Sequence, residues 1–133
     1  MKLENLQVYS LSMKIGEDVW DIVDVWDNFA KDTVGKQLVR AIDSVAANLS
    51  EGFGRYHFRE KTHFSYYSRG SLYESKTWLT KANNRKLLDD EKFNYVISEI
   101  DKIGIKLNNY ISSTKKQIEK SILPISMNFH ELP

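Results

Sequence analysis

Three histidines, His57, His63 and His130, and no cysteine bound the chemistry open to this 133-residue chain. Without a thiol, disulfides and thiolate catalysis are excluded. Glu60-Lys61-Thr62-His63 is the one arrangement with the spacing of a metal half-site. A di-metal carboxylate centre in a helical bundle needs a second Glu-x-x-His and two further inward glutamates. The chain holds no second copy, and its serines near His63 carry no local signature of a triad. The expectation is therefore no catalytic set, no metal and no cofactor. His63 is read instead as a polar partner of Glu51.

Residues 35–55 carry a denser pattern. Leu38, Ile42, Val45, Leu49 and Phe53 form an apolar seam at helical spacing. Gln37, Arg40, Ser44, Asn48, Glu51 and Arg55 form a second, polar seam at steps of three and four residues. Such steps hold all six side chains on one stripe of a helix. Ala41, Ser44, Ala46, Ala47 and Gly52 lie between the seams and would let a second helix approach closely. Polar groups left partly dry by such a neighbour need partners; the alternative is a solvated polar face.

The stretch that can supply partners is 64–78, FSYYSRGSLYESKTW. With a tight turn near His57 the two stretches fold as an antiparallel hairpin, and opposed residue numbers sum to about 114. Arg40 then meets Glu74, Ser44 meets Gly70, Glu51 meets His63, and Asn48 lies beside Tyr66 and Tyr67. The expected structural polar network is Gln37, Arg40, Ser44, Asn48, Glu51, His63 and Glu74. Loss of one partner of a buried charged pair costs about 3–5 kcal/mol.

The net charge of +1 conceals an asymmetry. Residues 1–34 hold three basic and seven acidic side chains; residues 55–86 hold eight basic and two acidic. The basic set is Arg55, Arg59, Lys61, Arg69, Lys76, Lys81, Arg85 and Lys86. The same limb is aromatic, with Phe58, Phe64, Tyr66, Tyr67, Tyr73 and Trp78. Cations interleaved with rings suit phosphate contact and stacking on unpaired bases, and these eight residues are the candidate contacts to RNA or DNA. The competing reading pairs the basic limb with the acidic first helix, within a subunit or between subunits.

These side chains must be positioned by helices. Hydrophobic content is 41%, and both prolines, Pro124 and Pro133, lie near the C-terminus. A chain without proline before position 124 can be nearly all helix. The first helix is expected over about 5–30, with Leu11, Ile15, Val19, Ile22, Trp26 and Phe29 buried and four aspartates on a solvated flank. Asp32 and Thr33 are expected to cap the second helix, and the glycines at 52 and 54 to close it in left-handed geometry. The third is expected over 58–82, with Phe64, Ser68, Ser71, Ser75, Trp78 and Ala82 inward. The fourth begins at Asp89 and Asp90 and runs to about Lys120. The fold class is thus all-α: an antiparallel up-down-up-down four-helix bundle over residues 1–120, with a short non-helical C-terminal tail over 121–133. That apolar tail is read as an arm packed on its own bundle or on a neighbour. No apolar run reaches the length of a membrane span, and the N-terminus lacks a signal peptide pattern. A cytoplasmic setting without membrane contact is expected.

The ordered pattern Gln37-x-x-Arg40-Ala41-x-x-Ser44-Val45-Ala46-Ala47-Asn48, then Glu51-Gly52-x-Gly54-Arg55, then Arg69-Gly70-Ser71-x-x-Glu74, resembles the four-helix-bundle family named for proteins encoded in intervening sequences of bacterial 23S rRNA genes. The opening Leu3-x-x-Leu6-x-Val8-Tyr9 also resembles that family's start, and the similarity covers about residues 3–118. The resemblance implies a bacterial bundle that assembles into a ring-like homopentamer. A related branch, the accessory variability protein of diversity-generating retroelements, implies binding of reverse transcriptase and nucleic acid through a basic surface. The partners expected are therefore further copies of the chain, RNA or DNA, and a protein. This chain departs from that branch in its near-neutral net charge, and its apolar tail lies outside the similarity.

Overall fold

The computed structural model describes residues 1–130, with side chains described for 1–121. A 3-10 turn, Leu3–Asn5, precedes α1, Gln7–Asp24. One turn of helix, α2, Asn28–Ala30, runs through a π-helical turn, Lys31–Gly35, into α3, Lys36–Phe53. Then come α4, Phe58–Asn84, and α5, Asp90–His130. No strand occurs among the described residues.

The four long helices form the expected bundle. α1 packs on α3 and α5, and α4 packs on α3 and α5. Contacts along each pair show the direction. Lys106 reaches Gln7 while Tyr95 reaches Lys14. Gly35 abuts Val23 while Gly16 abuts Asp43. Glu74 faces Arg40 while Lys61 reaches Phe53. Asn108 faces Arg69 while Asp101 faces Lys76. Every adjacent pair therefore runs antiparallel. Ile15 and Val19, then Leu38, Ile42, Val45 and Leu49, then Leu79, and then Val96, Ile103 and Leu107 fill the interior.

Several boundaries differ from the sequence expectation. α1 ends at Asp24, not near Ala30. The Asp27 carboxylate accepts the Ala30 N–H at 2.9 Å and caps the next turn, the role expected of Asp32 and Thr33. The Thr33 hydroxyl instead donates to the Phe29 carbonyl at 2.7 Å. With the chain broken at Val25, Trp26 turns into the core, and Phe29, expected on the buried stripe, is 80% exposed.

Gly54 closes α3 at φ −77°, so the left-handed ending expected there does not form. Among the described residues the one with positive φ is Lys86, at 61° in the turn before α5. Gly52 serves close approach instead. A Cβ there would lie 2.8 Å from Phe64 Cβ and 3.2 Å from the Lys61 carbonyl oxygen.

The inward seam of α4 is offset from the expected one. Thr62, Ser65, Ser68, Leu72, Ser75, Leu79 and Ala82 are buried, whereas Phe64, Ser71 and Trp78 are half-buried. The buried hydroxyls spend their protons on backbone carbonyls: Ser65 on Lys61 at 3.0 Å, Ser75 on Ser71 at 2.8 Å, and Ser68 on Val45 of α3 at 2.8 Å. Hydrogen-bonded hydroxyls are tolerated in a core and occupy little volume, so α3 and α4 can lie close.

α5 continues ten residues past the expected end near Lys120, through Pro124 to His130. The packing expected of the arm lies outside the described side chains. No helix among the described residues is long and apolar enough to cross a membrane.

Candidate functional site

The polar seam of α3 faces the open side of the α3–α4 hairpin. Arg40 donates from Nη2 to Gln37 Oε1 at 2.6 Å and to Glu74 Oε2 at 3.5 Å. Trp78 Nε1 donates to the same Glu74 oxygen at 3.1 Å. The ion pair is not dry: the Arg40 and Glu74 side chains are 64% and 45% exposed. The cost of breaking a buried pair does not apply to it. Ser44 and Asn48 turn back onto their own helix, donating to the Arg40 and Ser44 carbonyls. Glu51 does not meet His63. It accepts from Arg55 Nη2 at 2.6 Å, one helical turn away. The His63 ring stacks parallel to Tyr67, with centroids 6.2 Å apart. Glu60 and His63 are both exposed rather than aimed inward, and no three acidic or histidine side chains converge on a metal position among the described residues.

The eight basic candidates do not form one surface. Arg55 is paired with Glu51 and lies over the Phe64 ring. Lys61 donates to the Phe53 carbonyl at 3.2 Å. Arg69 donates to Asn108 at 3.2 Å, and Lys76 pairs with Asp101 at 3.1 Å. These four are engaged within the chain. Arg59, Lys81, Arg85 and Lys86 are exposed and have no acidic partner among the described residues. Arg59 stands at the first turn of α4 and the other three at its last turn and beyond. A helix rises about 1.5 Å per residue, so the two groups are about 33 Å apart.

The aromatic side chains divide likewise. Tyr66 is held between two cations, with Arg69 at 4.8 Å and Lys115 at 5.2 Å from its centroid. Tyr73 is exposed beside a groove of about 290 Å³ whose floor includes Leu72, Ile100 and Gly104. At the α3–α4 turn, Tyr56, His57, Phe58 and Arg59 join Ile118 and Ser121 around a cleft of about 480 Å³.

The sequence reading missed several of these groups. Lys115, Lys116 and Lys120 lie in a segment of nearly balanced charge, where acids at its start mask them. Lys14 donates to the Tyr95 hydroxyl at 2.8 Å and to Asp18 at 3.1 Å, while Tyr95 donates to Asp18 at 2.8 Å. This exposed triad ties α1 to α5 and holds the Lys14 ammonium above the usual lysine range, through Tyr95 first and Asp18 second. Asp43 lies over Gly16, and partial burial, followed by the charge of Glu17, pushes its carboxyl pKa up. Lys14 and Asp18 lie at helical spacing on α1, but the links to Tyr95 and of Asp43 to Gly16 depend on the register between helices distant in sequence.

A family model described as 23S rRNA-intervening sequence protein matches residues 4–109. The fold is similar to the crystal structure of a protein of unknown function from the S23 ribosomal protein family of Bacteroides thetaiotaomicron. That comparison gives a TM-score of 0.75 at 17% identity and covers 84% of this chain and 99% of the other. At that identity the likeness is one of fold. No curated protein matches the chain.

Proposed function

The chain belongs to the 23S rRNA-intervening sequence protein family, and from that membership we propose a non-enzymatic, homo-oligomeric helical module that binds RNA or DNA through cations of the 55–86 limb in the cytoplasm. The observation that carries this function is the set Arg59, Lys81, Arg85 and Lys86, exposed and unmatched by acid among the described residues. Cations that neutralise phosphates release counterions, so such binding weakens steeply with salt. The experiment is binding of labelled single-stranded and structured RNA at two salt concentrations, with the solution mass of the protein read in the same buffers. Affinity that falls with salt at constant mass supports nucleic-acid binding. A stable oligomer that binds neither RNA at low salt overturns it.

A second reading, a structural assembly module with a protein partner or only itself, is favoured by one observation. Trp20, Val25 and Phe29 are exposed around the α1–α3 turn, beside a groove whose lining includes Trp20, Val23, Gly35 and Val39. Exposed apolar side chains gathered in one place mark interaction surfaces. The ring-like homopentamer implied by the family resemblance would use such a face. Phe29→Glu with Trp20→Glu is then expected to lower the solution mass, and an unchanged mass excludes this patch from assembly.

A further inference from the structure

We infer that the α3–α4 turn end of the bundle is a stacking site for unpaired nucleotides. This inference rests on the nucleic-acid function proposed above and assigns it to one end of the molecule. The antiparallel registers divide the charges by end. Near the α3–α4 turn lie Lys2, Arg55, Arg59, Lys61, Lys115, Lys116 and Lys120 against Glu4, Glu51, Glu60 and Glu119. Glu51 is already paired with Arg55. At the opposite end, Lys81, Arg85 and Lys86, with Lys31, Lys36 and Lys92, share their level with Asp24, Asp27, Asp32, Asp89, Asp90 and Glu91. A phosphate chain is attracted to the first end and meets a mixed field at the second.

The rings separate the ends further. Tyr56 is 89% exposed, and its ring meets His57 edge-to-face with centroids 5.1 Å apart. An edge-to-face contact covers at most one of the two Tyr56 faces, so at least one is open to a base. Phe58 and Ile118 give the adjoining cleft apolar walls, and Arg59 stands at its edge. Its volume of about 480 Å³ lies within the range of about 300–1,000 Å³ usual for ligand clefts. α4 begins at this point without a side-chain cap, so the positive end of its dipole adds to the cations. Exposed rings beside a cationic track are what single strands use: bases stack on the rings irrespective of sequence, and cations follow the backbone. A duplex keeps its bases stacked on one another and offers the rings nothing.

The test is fluorescence anisotropy on the full chain with one labelled oligonucleotide sequence of about 12 nucleotides, as RNA, as DNA and as a duplex, at two salt concentrations. The single strands are expected to bind more tightly than the duplex. Tyr56→Ala is expected to weaken single-strand binding by about fivefold to a hundredfold, with Tyr56→Phe close to the parent chain. Arg59→Glu with Lys116→Glu is expected to weaken binding and flatten its salt dependence, and to do both more than Lys81→Glu with Arg85→Glu. Circular dichroism of each variant confirms an intact bundle. Binding that persists unchanged in the Tyr56 and Arg59 variants, or that prefers the duplex, overturns this inference and leaves the proposed function standing. Absence of binding to every oligonucleotide at low salt overturns both. Stronger binding to the RNA or to the DNA strand identifies which one the site takes.

Discussion

The Ser68 hydroxyl donates to the Val45 carbonyl at 2.8 Å across the α3–α4 interface, with both residues completely buried. It is the one buried hydrogen bond of the described side chains that joins two of the long helices. Buried Ser65 and Ser75 bond carbonyls of their own helix. Ser68 therefore fixes the register of the hairpin from the inside, while Arg40 and Glu74 mark the same register at its surface.

Removing that hydroxyl should cost more than removing its neighbours. Ser68→Ala is expected to lower unfolding free energy by about 1 kcal/mol, the usual net value of one hydrogen bond. Ser65→Ala removes only a bond back to its own helix and is expected to change stability by less than about 0.5 kcal/mol, since Ala is the better helix former. Urea unfolding of the two variants checks the order. Equal losses would mean that the cross-helix bond adds nothing specific.

Two of the helical glycines, Gly52 and Gly70, should respond oppositely to alanine. A Cβ at Gly52 would lie 2.8 Å from Phe64 Cβ, an atom next to the α4 backbone that cannot swing aside. Gly52→Ala is expected to destabilise by about 1–3 kcal/mol, as overpacking does. A Cβ at Gly70 meets nothing within 4 Å, so Gly70→Ala is expected to stabilise by up to about 1 kcal/mol through helix propensity. Thermal unfolding of both variants reads the two signs.

The bundle was legible wherever one helix's own spacing decides the outcome. Leu38, Ile42, Val45 and Leu49 repeat at three and four residues and are all buried. The Arg40–Glu74 contact followed from a short turn joining two straight helices. Legibility failed where more than one partner competed for a group. Asp32 and Thr33 were expected to cap the second helix, yet Asp27 caps the segment before it, next to the inward-packed Trp26. Glu51 had two basic neighbours, and Arg55 on the same helix wins over His63 across the turn. Ser68 and Ser75 were expected inward and are buried, but their partners were hidden because they are carbonyls, to which residue types give no clue. Lys115 beside Tyr66 depends on the α4–α5 register, which the turn before α5 sets.

The Arg40–Glu74 pair is the most recognisable feature of the polar seam, yet its exposure limits its energy. An exposed ion pair is worth about 0–1 kcal/mol. Arg40→Ala and Glu74→Ala are each expected to change stability by less than about 1 kcal/mol, and the double variant should show a coupling that shrinks with added salt. A loss of several kcal/mol from either single change would mean that the pair is covered in solution, as a subunit contact over this face would do, and the solution mass of the variant would then fall with it.

Asp43 gives a pH dependence whose sign can be worked out. Partial burial and the Glu17 charge raise its carboxyl above the ordinary value of 3.8. Between that value and its raised one, the native state binds a proton that the unfolded state has released. Unfolding free energy then falls as pH rises through this window. Above it, the ionised Asp43 destabilises the native state, fully so at neutral pH. Asp43→Asn is therefore expected to raise stability at pH 7 and to remove this part of the gain on mild acidification. Glu17→Gln should act in the same direction but less, because desolvation is the larger cause. Urea unfolding across the window, together with NMR titration of the Asp43 carboxyl, checks both effects. An Asp43 that titrates at or below 3.8 would overturn the prediction.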